Sequence, residues 1–181
     1  CRCGCRPGQR SDDTLAHQLV YSPVELNMTK RYWLFKSEPT AYSFADLMDE
    51  NEQTAEWDGV RNYQARNFLR DEVQIGDGVL FYHSNADPPA VVGTAVVTRG
   101  GYPDWTAWDP DSEHPDPKST PDNPIWFMVD IQGKRELETP VTLAQIKGHP
   151  ALQNVSMRKR PRISIHPIEE EEWSIILQMS N

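Results

Sequence analysis

Three short strings hold most of the side chains able to do chemistry: Lys36-Ser37-Glu38-Pro39, Trp57-Asp58-Gly59-Val60-Arg61-Asn62-Tyr63 and Phe81-Tyr82-His83-Ser84-Asn85. In the first, the proline holds Glu38 extended, so Lys36, Ser37 and Glu38 are displayed at a strand end, where they can grip a polar ligand. The plain alternative is a strand-end turn with solvated charges. In the second, Trp57 stands with Asp58, Arg61 and Asn62 at a helix entrance. An indole there can stack on a planar ring while first-turn amides bind an anion or a carbonyl. The alternative is a core tryptophan beside an Asn or Asp cap. In the third, Tyr82, His83 and Ser84 close a strand. His83 near Lys36, Glu38 or Asp58 would serve as an acid or base, whereas a lone strand-end histidine usually fixes structure by hydrogen bonding. The spacing assigns no nucleophile-plus-base pair.

Weaker signals lie further along. Tyr102-Pro103-Asp104-Trp105 and Trp108 can fold an aromatic lid over a pocket, and Trp126 reads as core. Asp109, Asp111, Glu113, His114 and Asp116 invite a metal reading, but the glycine and terminal glutamate of a calcium loop are missing, so a solvated acidic loop is expected and no metal. Arg61, Arg66 and Arg70 either face a phosphate or pair with acids such as Asp71 and Glu72. Arg158-Lys159-Arg160-Pro161-Arg162 is the one dense basic run; it either touches phosphates of a single strand or balances an acidic background. No GxGxxG, GxxxxGK[ST], HExxH or GxSxG occurs, which removes the usual support for nucleotide-cofactor, phosphate-loop, zinc-protease and serine-hydrolase readings.

The elements that must position these residues are short. Arg31 to Lys36 is an apolar, aromatic run expected as a buried strand. Ser43 and Asp46 mark the start of a helix reaching about Glu50. Asn62 to about Glu72 has helical spacing at Ala65, Phe68 and Leu69. Gly76-Asp77-Gly78 turns into a strand at Val79–His83, and Ala90–Val97 forms the next. Tyr102 to Pro124 carries six prolines and reads as a long functional loop. Strands at Ile125–Ile131 and Lys134–Thr139 flank Gly133, a short helix spans Thr142–Lys147, and Arg162–His166 is a last strand before a helix opened by Glu169–Glu172. About five or six strands with inserted helices indicate an α+β fold, a small, mostly antiparallel β-barrel decorated by helices.

The chain has 181 residues with a formal net charge of -9, which argues against broad, charge-driven wrapping of duplex nucleic acid. No apolar run is long enough to span a bilayer, so no membrane partner is expected. All three cysteines lie within the first five residues. Residues 1–27 show no sustained period and precede Met28; they are read as a leader outside the fold, and 28–181 as the domain. The leader holds three arginines and three acids, which leaves the domain 15 basic against 24 acidic residues. A thiol-free fold without a recognisable signal is read as cytoplasmic.

The strings Tyr32-Trp-Leu-Phe-Lys-Ser-Glu-Pro39, Trp57 through Arg70, Phe81-Tyr-His-Ser-Asn85, Tyr102-Pro-Asp104 and Asp122-Asn-Pro124, in this order and spacing, resemble the EVE domain family over residues 30 to 179. The resemblance implies a PUA-like β-barrel related to the YTH domains that read N6-methyladenosine and to ASCH domains. It implies a non-enzymatic module that captures a modified base of DNA or RNA, modified cytosine foremost, single-stranded or flipped, as a monomer with no cofactor. By the same similarity, Lys36 and Ser37 would lie near the ligand's backbone or base edge, and Trp57 would form one aromatic wall. Asp58 would read the base edge, and Tyr102 or Trp105 would form the other wall. Glu38 stands where the adenine readers carry an amide, which suits a donor-bearing cytosine edge. The alternative, by analogy with ASCH-like relatives, is a small hydrolase of a modified pyrimidine nucleoside with Lys36, Glu38 or His83 as its acid-base group.

Overall fold

Period-two alternation divides the first strand between two cores. In β1 (Tyr32–Ser37), Trp33 and Phe35 enter one cluster while Leu34 enters another on the opposite face. These coordinates are a computed structural model describing residues 30–181; the leader expected over 1–27 lies outside the described residues. Five further strands follow: β2 (Thr54–Trp57), β3 (Gly78–His83), β4 (Ala90–Pro103), β5 (Phe127–Thr142) and β6 (Ile165–Ile168). They form one sheet in the order β2-β5-β4-β3-β1-β6. Among the described residues only β1 and β3 pair in parallel; the other neighbours are antiparallel. The two parallel strands are near-continuous apolar runs because helices or loops cover both their faces.

The α+β class and the mostly antiparallel sheet agree with the sequence reading. Closure does not: the sheet is open, with β2 and β6 at its edges. Both edge strands have only four residues, and Pro167 within β6 has no N–H to donate. Register shifts along the β4–β5 ribbon bend it without bringing those edges into pairing.

Five short helices pack on the sheet. α1 (Phe44–Asp49) starts in a capping box, Ser43 accepting from the Asp46 amide at 3.1 Å while Asp46 accepts from the Ser43 amide at 2.7 Å. α2 (Tyr63–Asn67), capped by Asn62, runs directly into a π-helical turn over Phe68–Glu72. α3 (Leu143–Gly148), α4 (Ser156–Lys159) and α5 (Glu170–Gln178) cover the second core, which holds Val141, Ile146, Leu152 and Ile176.

Four boundaries differ from expectation. β2 carries no period long enough to announce it. The two strands foreseen around Gly133 are one strand of 16 residues, and Gly133 lies beneath the Met48 and Leu47 side chains. The last strand starts at Ile165 rather than Arg162 and runs through Pro167. The proline-rich loop begins only after Pro103, which pairs with Phe127, so the loop is the connection of the β4–β5 ribbon. No helix among the described residues is long and apolar enough to cross a membrane.

Candidate functional site

One buried carboxylate ties the long loop to the turn after β2. Asp104 is fully buried; its Oδ2 accepts from the Gly59 amide at 3.1 Å and from Arg61 Nη1 at 2.6 Å. Its Oδ1 accepts from the amide and hydroxyl of Thr106 at 3.0 and 2.6 Å. Arg61 continues the strap, donating from Nε and Nη2 to the His114 carbonyl at 2.9 and 2.6 Å. Its guanidinium lies 5.6 Å from the Trp126 ring. Gly59 adopts φ +69°, and a Cβ there would meet His114 Cδ2 at 2.6 Å, so the imidazole packs on bare backbone. The segment from Trp57 to Asn62 and the loop from Asp104 to His114 therefore form a single wall.

That wall bounds an open cleft of about 940 Å³. β1 contributes Lys36 and Ser37, β2 contributes Ala55 to Trp57, the strap contributes Trp105 and His114, and Ser164 enters just ahead of β6. The cleft thus lies along the seam between the two edges of the sheet. It gathers Lys36, Ser37, Trp57, Asp58, Arg61, Asn62 and Trp105 from among the residues expected at a site.

Their individual states differ. Trp57 is only 7% exposed and packs 5.3 Å from both Phe35 and Phe81, so it backs the cleft from within the core. Trp105 is 45% exposed and is oriented by its indole N–H, which donates to Glu56 Oε2 at 2.9 Å. Partial desolvation and the neighbouring Asp104 carboxylate push the Asp58 carboxyl above the usual range. Asn62 spends its carbonyl on capping α2, accepting from the Gln64 and Ala65 amides at 3.0 and 3.1 Å. Lys36 Nζ donates to the Pro161 carbonyl at 3.0 Å, and its burial lowers the ammonium's pKa. Ser37 Oγ donates to the Tyr42 carbonyl at 2.7 Å. Sequence reasoning missed Tyr42, which lines the cleft and whose hydroxyl is buried from solvent without a partner among the described residues. Burial and the Glu50 and Asp46 carboxylates push that hydroxyl up to about 12.

The remaining expected residues lie elsewhere. Glu38, Tyr82 and Ser84 line a second cleft of about 550 Å³, which shares Lys36 and Ser164 with the first. His83 lines neither: its Nε2 accepts from the Phe44 amide at 3.0 Å, and burial holds its pKa below the usual value. Tyr102, paired opposite Met128, also lies outside the seam cleft. Its hydroxyl is shared between Asp130 and Glu56, and burial with those two carboxylates raises its pKa far above the phenolic range. Lys36, Glu38 and His83 are thus not assembled around one reacting centre. Among the described residues no group of three or more His, Cys, Asp or Glu side chains is placed to hold a metal ion.

Known proteins resemble this chain in sequence and in fold. Human thymocyte nuclear protein 1 is 36% identical over 195 residues, covering 94% of this chain and 86% of the relative. The crystal structure of human THYN1 protein in complex with 5-methylcytosine-containing DNA superposes with a TM-score of 0.80 at 38% identity, covering 84% of this chain and 98% of that one. A hypothetical protein from Leishmania major gives a TM-score of 0.80 at 43% identity, covering 83% and 94%. The curated relative's name refers to the nucleus, and the cytoplasmic expectation gains no support from it. A family model, EVE domain, matches residues 31–179, so the match takes in β1 through α5 with both clefts, and the chain belongs to the EVE domain family.

Proposed function

We propose that this chain is a non-enzymatic DNA-binding module that takes one modified cytosine, single-stranded or flipped from a duplex, into the seam cleft, acting as a monomer. The observation that carries the reading is the likeness, over nearly the whole domain, to a human relative crystallised with 5-methylcytosine-containing DNA. The cleft supplies matching chemistry. Trp105 offers an exposed ring on which a base can stack. Asp58 accepts from an exocyclic amine, the donor that distinguishes cytosine from thymine. The hydrolase alternative has no comparable support among the relatives, and of its acid-base candidates Lys36 lines this cleft while Glu38 and His83 do not.

Titration of labelled single-stranded oligonucleotides carrying one 5-methylcytosine or one cytosine, with the matching RNA as a third arm, tests this. Burying one methyl group contributes about 0.8 kcal/mol, so a preference of about fourfold for the methylated DNA is the minimum expected. Equal affinity for the two DNAs would sink the modified-base assignment, and tighter RNA binding would move the polymer.

A further inference from the structure

The second cleft carries a charge pattern that the base-capture reading does not use. Lys36, Lys147, Arg158 and Arg162 all line it. The ion pairs among the described residues are Arg31–Glu72, Arg61–Asp104 and Arg70–Asp71, so none of these four cations is paired. Glu38 is the single carboxylate in the lining, and it accepts from Asn85 Nδ2 at 3.2 Å. Arg158 spends one N–H on the Lys147 carbonyl at 2.9 Å, and Lys36 one on the Pro161 carbonyl. Lys147 and Arg162 are exposed, with no side-chain hydrogen bond among the described residues.

Four like charges facing one hollow repel each other, and in a chain of net charge -9 counter-charges for them are plentiful. Their convergence without partners suits an anion from outside. The seam cleft is the opposite: Glu50, Glu56, Asp58, Asp109, Asp111 and Glu113 line it, and these would repel a phosphate. Lys36 and Ser164 belong to both clefts, so a ligand can occupy the two at once.

We propose that the basic cleft seats a backbone phosphate of the same nucleic-acid strand whose modified base occupies the seam cleft; this rests on the base-capture reading. Arg158 and Arg162 offer forked donors matched to phosphate oxygens, while Lys36 and Lys147 act as point charges. Phosphate contact fixes the strand's register, and the acidic seam reads the base.

The test is the double variant K147Q/R162Q, in which both changed side chains are exposed, so its thermal midpoint should match the parent. Fluorescence anisotropy with methylated and unmethylated single strands at several salt concentrations is compared with calorimetry on free 5-methylcytidine, which has no phosphate. The variant should bind both strands at least about fivefold more weakly, with the slope of log affinity against log salt flattened by about 1 to 2, and bind the nucleoside as the parent does. Unchanged strand affinity and slope would overturn the phosphate seat. Weakened nucleoside binding would also overturn it, by placing these residues in the base site. If the parent does not distinguish the two strands, yet both weaken in the variant, the base reading falls alone.

Discussion

Trp57 and Trp105 meet the same cleft but answer to different forces. On sequence alone Trp57→Ala is a pocket variant. Buried against Phe35 and Phe81, it is a cavity variant, and it should lower unfolding free energy by about 3 to 5 kcal/mol in urea titration. Trp105→Ala removes an exposed ring with one hydrogen bond and should change stability by no more than about 1 kcal/mol. It should nonetheless weaken binding of a methylated strand by about 5- to 150-fold, the worth of one stacked base. Binding that survives Trp105→Ala would remove the aromatic wall from the proposed site. His166 is a third residue whose environment sets its role. Fully buried, it has Nε2 at 2.8 Å from the Ile163 carbonyl, which requires a proton there, and Nδ1 at 3.2 Å from the Ser156 hydroxyl. Burial, together with the Lys36 and Arg160 charges, holds its pKa down to about 4. Between about pH 6.5 and 4 the unfolded chain therefore binds a proton that the folded chain refuses, so stability is full above this window and falls on acidification, by up to about 3 kcal/mol. Denaturation midpoints at pH 7.5, 5.5 and 4.5 should show that limb in the parent and a flatter one in His166→Gln; parallel limbs would mean that other groups carry it.

The elements around the cleft are tied together by the hydrogen bonds of Asp104 and Arg61, and the strap at Asp104 is the most direct to test. Asp104→Asn strips the charge from a buried pair while keeping the shape. The loss should approach, without reaching, the roughly 3 to 5 kcal/mol of a fully buried pair, because Arg61 retains some contact with solvent. Strand binding should weaken further than stability alone explains, since Trp105 and His114 would lose their placement; measuring both on one preparation separates the two effects. The strap also shows what could be read from the residues. Local signals were legible: the Ser43 capping box, the Asn62 cap and the apolar runs of β1 and β3 follow from spacing within a few residues. The string from Trp57 to Asn62, read together from the sequence, does line one cleft. Relations across 28 or more residues were not legible. Nothing near Tyr102 says that its hydroxyl meets Asp130 and Glu56 while Trp105 reaches the cleft, and nothing near His83 says that the Phe44 amide takes its free nitrogen. β2 has only four residues, too few to show a period, although pairing with β5 makes it one edge of the seam.

At the scale of the whole molecule, a net charge of -9 is compatible with nucleic-acid binding because the charge is unevenly distributed. Carboxylates gather at the seam cleft, and four cations without ion pairs among the described residues gather at its neighbour. Such a protein has little with which to grip a continuous duplex. With Lys36, Lys147, Arg158 and Arg162 as the cations of that cleft, the salt slope for binding should not exceed about 4 in magnitude. On the proposed reading most of the affinity comes from one captured base, and in a duplex that base first has to leave the stack, at an expense of a few kcal/mol that is least for an unpaired or mismatched base. Affinity for 5-methylcytosine should therefore rise in the order fully paired duplex, duplex with the base opposite a mismatch or abasic position, single strand. The paired and single-stranded extremes should differ by at least about tenfold, as 1.4 kcal/mol of the unstacking expense requires. Competition titrations with the three substrates at fixed salt measure that order directly. Equal affinity for paired and unpaired sites would show that the base is read in place from a groove, and the acidic seam could then not be where it is held.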